Sequence, residues 1–222
     1  AAAVVALTAV VLWGVLPVVL KGLLSGMDPV TISWFRFTSA GLMLGAWLAS
    51  RGRLPQLGGL RASAWGLMVL AILGLAGNYL FYVLGLARIT PGTAQVVIQL
   101  APMFMLLGSQ VFFRERFKLG QWLGFGVLVF GLLLFFNQRL GTLLANLDHY
   151  SVGVFLVVIS AVSWTGYALA QKQLLKTLPS EAIMLCIYLG GSLLFLPLAT
   201  PTQMLTLTPV QLGLLAFAGL NT

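Results

Sequence analysis

Charge is what this sequence has least of. Asp, Glu, Lys and Arg together make up 7% of its 222 residues, where a soluble domain carries about a quarter. A chain this poor in charge cannot clothe a water-facing surface. Acids are scarcest of all, with only Asp28, Glu115, Asp148 and Glu181, each at the end of an apolar run or between runs. Histidine and cysteine occur once each, as His149 and Cys186. An intrachain disulfide is therefore excluded. A lone histidine beside Asp148, with no second His or Cys near it, gives no metal-ligand set and reads as a plain loop residue. No Ser–His pair lies within an apolar run, so no catalytic constellation is expected, and nothing calls for a cofactor.

What is present is hydrophobic length. Ala62 to Ala87, Ile89 to Phe113, Leu119 to Gln138 and Tyr150 to Gln171 contain no Asp, Glu, Lys or Arg. Roughly 20 apolar residues at ~1.5 Å rise span a ~30 Å hydrocarbon core, so each run is long enough to cross a bilayer. Val4 to Leu24 interrupts its run only with Lys21, and Val30 to Ala49 only with Arg36. After Glu181 there is no charge, and proline punctuates instead. Pro197 and Pro201 close a helix begun near Ala182, and Pro209 suits the first turn of another. The sequence thus predicts seven complete spans and part of an eighth. The chain opens directly in an apolar stretch without a basic leader, which reads as a helix and not a signal peptide. The natural protein is expected to extend beyond both ends.

The formal net charge of +8 does not indicate nucleic-acid binding, because the basic residues punctuate apolar runs and do not cluster on one face. They fit loops beside an anionic leaflet. With a cytoplasmic N-terminus, the inner loops hold Arg51, Arg53, Arg61, Arg114, Arg116, Lys118, Lys172 and Lys176, and the outer side holds Lys21, Arg88 and Arg139. The excess of positive charge inside favours that orientation.

The chain also repeats itself. Trp13-Gly-Val-Leu-Pro-Val-Val-Leu-Lys21, with Leu23-Leu24 and Pro29 behind it, is matched by Trp164-Thr-Gly-Tyr-Ala-Leu-Ala-Gln-Lys172, Leu174-Leu175 and Pro179. Leu70 to Leu75 is matched by Leu215 to Leu220. The expected organisation is a five-helix repeat over 1–138, an extracytoplasmic linker over 139–150, and a second copy over 151–222 that stops in its third helix. Five spans is an odd number, so the second copy enters the membrane upside down. Inverted repeats are characteristic of secondary transporters, whose substrate sites lie near the midplane between the halves.

At this point the residues resemble the EamA-type members of the drug/metabolite transporter superfamily. The resemblance is strongest from Ala87-Arg-Ile-Thr-Pro91 through Pro102, Arg114-Glu115-Arg116-Phe-Lys118 and Gln121-Trp122-Leu-Gly124 to Gly131. Trp13-Gly14 and Arg36 also fit. It implies an all-α helical bundle of ten helices in inverted five-helix repeats, about seven and a half of them present here. It further implies a bacterial inner-membrane location, cytoplasmic termini and export of amino acids or similar metabolites. Helices three, four, eight and nine, with parts of one and six, would line the cavity.

Several side chains are candidates to face it. Asn78 and Tyr82 share a face of the third helix, with Tyr79 beside them. Gln95 and Gln99 share a face of the fourth, which Met103 continues past Pro102. Amides in a bilayer need partners, either substrate and water in a cavity or another helix. Trp13, Trp164 and Tyr167 either face substrate or pack. Arg36, about 10 Å into its span at ~1.5 Å per residue, either is functional, or snorkels outward or binds a backbone carbonyl. Pro17 and Pro102 are candidate hinges or static kinks. Gly74, Gly120, Gly124 and Gly131 are expected to permit close helix packing. With no carboxylate in mid-span, a proton cycle of the small multidrug pump type is not expected, and facilitated flow down a gradient is simpler. A small-molecule carrier is the leading reading. A nucleotide-sugar or sugar-phosphate carrier of the same superfamily and a non-transporting scaffold are the alternatives.

Overall fold

The computed structural model describes residues 2–55, 58–114, 118–137 and 149–222. Glu115, Arg116, Arg139, Asp148 and nearly all of the expected linker lie outside the described residues. The protein is a helical bundle: α1 (Ala2–Leu23), α2 (Pro29–Ser50), α3 (Ala62–Leu86), α4 (Pro91–Val97), α5 (Leu100–Phe113), α6 (Leu119–Phe136), α7 (His149–Leu174), α8 (Ser180–Phe195) and α9 (Pro209–Leu220). A short 3-10 helix, Pro201–Thr206, joins α8 to α9 and has no counterpart in the sequence expectation. Among the described residues, four helices are long and apolar enough to cross a membrane, counting Pro91–Phe113 as one. It is a polytopic helical membrane protein.

Local chemistry sets the helix ends. Asp28 caps α2: its carboxylate accepts from Val30 N (2.9 Å) and Thr31 N (3.0 Å), and Pro29 occupies the first turn, where its missing N–H costs nothing. Thr208 and Gln211 form a capping box at the start of α9, satisfying two donors at once. Gly52, at φ +62°, follows the end of α2, in the left-handed region that stops a helix. Lys21 Nζ donates to the carbonyls of Leu86 (2.6 Å), Ala87 (3.1 Å) and Ile89 (3.1 Å). A cation there meets both the orphan carbonyls and the negative end of the α3 dipole.

Three antiparallel helix pairs build the bundle. Along α3 and α7, Gly74 faces Ser163 and Tyr167, Asn78 faces Ser160, and Gly85 faces Gly153 and Val157. Along α1 and α9, Gly22 faces Leu214 and Asn221 Nδ2 donates to Leu12 O at 3.0 Å. Along α2 and α8, Phe37 faces Gly191, Gly41 faces Tyr188 and Leu189, and Gly45 faces Leu185. Small residues at these seams let backbones approach, which is how helices associate where the solvent is itself apolar.

By the sequence repeat, α1, α2 and α3 correspond to α7, α8 and α9. Exchanging the copies turns the α3–α7 pair into α9–α1 and maps α2–α8 onto itself. Because α2 and α8 are equivalent elements and run antiparallel, the second copy lies the other way up. Lys21 and Lys172, equivalent in sequence, accordingly sit at opposite ends of α3. Lys21 caps its C-terminus, while Lys172 is at the end of α7 that flanks its N-terminus.

The helix α6 stands apart. Leu119, Val127 and Phe130 are exposed, and a Cβ on Gly120, Gly124 or Gly131 would meet nothing within 4 Å among the described residues. The close-packing expectation holds for Gly74, whose Cβ would lie 2.7 Å from Tyr167 N, and fails for these three. An apolar helix face needs no protein cover in lipid.

Candidate functional site

Arg36 is the focus of the interior. Only 4% of it is exposed, and among the described residues no carboxylate pairs with it. Its Nε–H is shared between Ala218 O (3.2 Å) and Thr222 Oγ1 (3.1 Å) on α9. Its guanidinium lies over the Tyr79 ring, 4.2 Å from the centroid, where the negative face of the ring attracts a cation. The Arg36 side chain thus points inward and reaches a backbone carbonyl of α9.

Aromatic rings gather around this point. Phe37 makes edge-to-face contacts with Tyr79 (4.8 Å), Tyr188 (6.0 Å) and Phe195 (5.8 Å). Tyr188 donates its hydroxyl to Thr222 O at 2.9 Å. Trp164 is half-buried and stacks edgewise on buried Tyr167 at 6.4 Å. The Tyr167 hydroxyl and Gln171 Nε2 both point to the Met184 sulfur, at 3.5 and 3.3 Å. Beside the cluster opens a cleft of about 450 Å³ whose walls include Met43, Leu44, Glu181, Met184, Tyr188 and Thr222. A second cleft, about 680 Å³, lies near Lys21, Ser25, Asp28 and Gln203.

The other expected residues divide. Asn78 Nδ2 donates to Ser160 Oγ (2.8 Å) and Ser160 O (3.1 Å), so its amide is engaged by α7 and not by the fourth span. Tyr82 is half-buried against the core formed by Leu20, Leu86 and Val157. Gln95 is half-buried and Gln99 exposed, and neither makes a side-chain hydrogen bond among the described residues. Met103, on the same side of the sequence pattern, is buried. Neither cleft touches Gln95 or Gln99. Trp13 is 64% exposed, since no described helix covers that face of α1; its equivalent Trp164 packs against the core cluster that includes Phe37, Tyr167 and Ile183.

The two prolines behave differently. Pro17 lies within an unbroken α1. Pro102 sits one turn beyond the interruption at Ile98 and Gln99 that separates α4 from α5. Lacking an N–H, it cannot bond the Ile98 carbonyl, and its ring crowds that carbonyl. Ala101 N takes up the bond instead, at 2.9 Å.

Sequence reasoning missed Ser160, Tyr188 and Thr222. A signal for Ser160 was readable: Ala71, Asn78 and Gly85 recur every seven residues, as do Gly153, Ser160 and Tyr167, the period of two helices meeting along one seam. Nothing local marks Tyr188 or Thr222.

The sequence profile of the EamA-like transporter family matches residues 1–137 and 151–222. The chain belongs to the EamA-like transporter family. This EamA-like protein is 40% identical over 217 residues to an uncharacterized transporter of Haemophilus influenzae, covering 98% of this chain and 70% of that one. It is 38% identical over 218 residues to the uncharacterized inner membrane transporter YhbE of Escherichia coli, covering 98% and 68%. A crystal structure of a protein at 22% identity superposes with a TM-score of 0.61, over 96% of this chain and 72% of that one; at that identity the likeness speaks for the fold alone. Transport is the activity these relatives share by name. The EamA-like chain is accordingly a membrane transporter, with Arg36 and its aromatic surround at the junction of α2, α3, α8 and α9.

Proposed function

We propose that this transporter exports small metabolites, amino acids or related polar and aromatic compounds, across the bacterial inner membrane by rocking of two inverted halves. The observation that carries the reading is the exchange of contacts between the copies. α3 lies on α7, α1 on α9, and α2 crosses its own equivalent α8, with Phe37 against Gly191 and Gly41 against Tyr188. Seams that exchange into one another in this way suit two halves turning about a common axis, the arrangement alternating access uses. The N-terminus is assigned to the cytoplasm on the distribution of Lys and Arg.

Substrate contact is assigned to Gln95 and Gln99 on the fourth span and to Tyr79, Tyr82, Trp164 and Tyr167, with Trp13 and Met103 extending the same lining. Asn78 belongs to the seam beside them. A non-transporting scaffold would account for the Asn78–Ser160 bond. It would not account for two amides on one span without partners among the described residues, since an amide in a bilayer interior is costly unless it finds one. Gln99→Leu in the full-length protein tests the assignment. Efflux of the transported metabolite, found by screening cells that overexpress the complete gene, should fall sharply while membrane expression is unchanged. Efflux equal to wild type would remove Gln99 from the substrate path.

A further inference from the structure

Resting on the carrier reading, we propose that Arg36 recognises the substrate, and that the substrate is a singly charged carboxylate with an apolar or aromatic body. The reasoning starts from charge. A guanidinium stays protonated in any protein environment, and a buried cation without an anionic partner is strongly disfavoured in an apolar interior. Arg36 is such a cation. Its nearest compensation is neutral: one backbone carbonyl, one hydroxyl and the face of Tyr79.

The hydrogen-bond inventory sharpens the point. A guanidinium carries five N–H donors. A mere tether to α9 uses the single Nε–H, shared by Ala218 O and Thr222 Oγ1. The two Nη groups make no hydrogen bond among the described residues. The tether thus holds one edge of the fork, and the edge without a partner among the described residues is one that matches the two oxygens of a carboxylate. Thr222 and Tyr188, which hold this arrangement through the 2.9 Å bond from the Tyr188 hydroxyl, also line the 450 Å³ cleft. A ligand entering there meets Tyr188, Met184 and the exposed Glu181; Arg36 does not itself line the cleft, but Thr222, which accepts from its Nε–H, does.

The same inventory argues against a phosphorylated ligand. Every other Lys and Arg among the described residues stands at a helix end or in a loop. A dianion at Arg36 would keep one charge unmatched, whereas a monoanion is neutralised. The ring over which the guanidinium lies favours an apolar or aromatic body over a hydrophilic one.

The test uses purified full-length protein in nanodiscs and three matched pairs: phenylacetate with phenylacetamide, 3-phenylpropionate with 3-phenylpropionamide, and hexanoate with hexanamide. Ligand-induced thermal stabilisation gives the affinities. Wild type should bind at least one acid about tenfold more tightly than its amide, the size expected of a charge-assisted hydrogen bond. Arg36→Gln should bring that acid to the level of its amide, and Arg36→Lys, which keeps the charge without the fork, should retain part of the preference. Equal binding of acid and amide by wild type overturns the proposal, as does a preference that survives in Arg36→Gln or a wild type that binds no acid in the panel. If Arg36→Gln does not fold, the wild-type comparison and Arg36→Lys still decide. Flux of the same compounds in proteoliposomes separates the two readings. Acid preference in binding without flux keeps the assignment of Arg36 and removes the carrier. Flux of an amide equal to that of its acid keeps the carrier and removes the assignment.

Discussion

Asn78 and Ser160 hold α3 and α7 together by bonds in both directions. The Asn78 amide donates to Ser160 Oγ at 2.8 Å, and that hydroxyl donates to the Asn78 backbone carbonyl at 3.0 Å. Gly85 lies two turns beyond them, against Gly153, and Gly74 one turn before, against Ser163, so the polar clamp sits in the middle of a seam of small residues. Where the surroundings are as apolar as the helices themselves, such a clamp fixes register more than it adds stability.

The two residues should therefore behave as a unit. Asn78→Leu and Ser160→Ala should each lower the stability of the full-length protein by about 1–2 kcal/mol, and the double variant should lose little more than the worse single one. Unfolding in a detergent titration measures this. Additive losses would mean that the two side chains stabilise the bundle separately.

Glycines that look alike in sequence should respond in opposite ways. A Cβ at Gly74 would stand 2.7 Å from Tyr167 N and 2.9 Å from Ser163 O, both backbone atoms that cannot swing aside. Gly74→Ala should cost about 1–3 kcal/mol by overpacking. A Cβ at Gly131 would meet nothing within 4 Å among the described residues, and Gly131→Ala should be neutral or stabilising by up to about 1 kcal/mol, from helix propensity alone. Thermal denaturation of the two variants, side by side, distinguishes them.

Orientation can be read by labelling. In a Cys186→Ser background, single cysteines at Arg51 and Lys118 should react with membrane-impermeant maleimide only after the inner membrane is opened. Labelling of either in intact spheroplasts would reverse the assigned topology.

The contrast between these glycines also marks how far the sequence reaches. The spans were legible because charge is absent from whole runs such as Ala62 to Ala87, and hydrocarbon imposes that absence. The start of α2 was legible because Pro29 and the Asp28 cap act within one turn. The inversion was legible from an odd number of spans. Partners were not. That Asn78 needed one follows from its chemistry; that it is Ser160, 82 residues away, depends on which two seams meet. Arg36 reads locally as a cation inside a span, but what it touches comes from Tyr79 on α3 and from Ala218 and Thr222 at the end of α9. Gly74 and Gly131 differ only in whether another helix lies against them, a property of the bundle and of neither segment.

Pro102 offers a test of motion. Because proline cannot donate to the Ile98 carbonyl, the fourth span is interrupted at Ile98 and Gln99, and Gln99 emerges at the interruption with no side-chain hydrogen bond among the described residues. Pro102→Ala restores a donor at the right spacing and removes the crowding ring, so one continuous helix should run through the site. An interior proline disfavours a helix by about 3 kcal/mol relative to alanine, and the variant should be at least as stable as wild type. If the interruption is a hinge, transport should slow although stability does not fall, and hydrogen exchange at Ile98 to Ala101 should become more protected. A variant that is more protected there yet transports at the wild-type rate would make the break a static bend, and the rocking of the halves would have to hinge elsewhere.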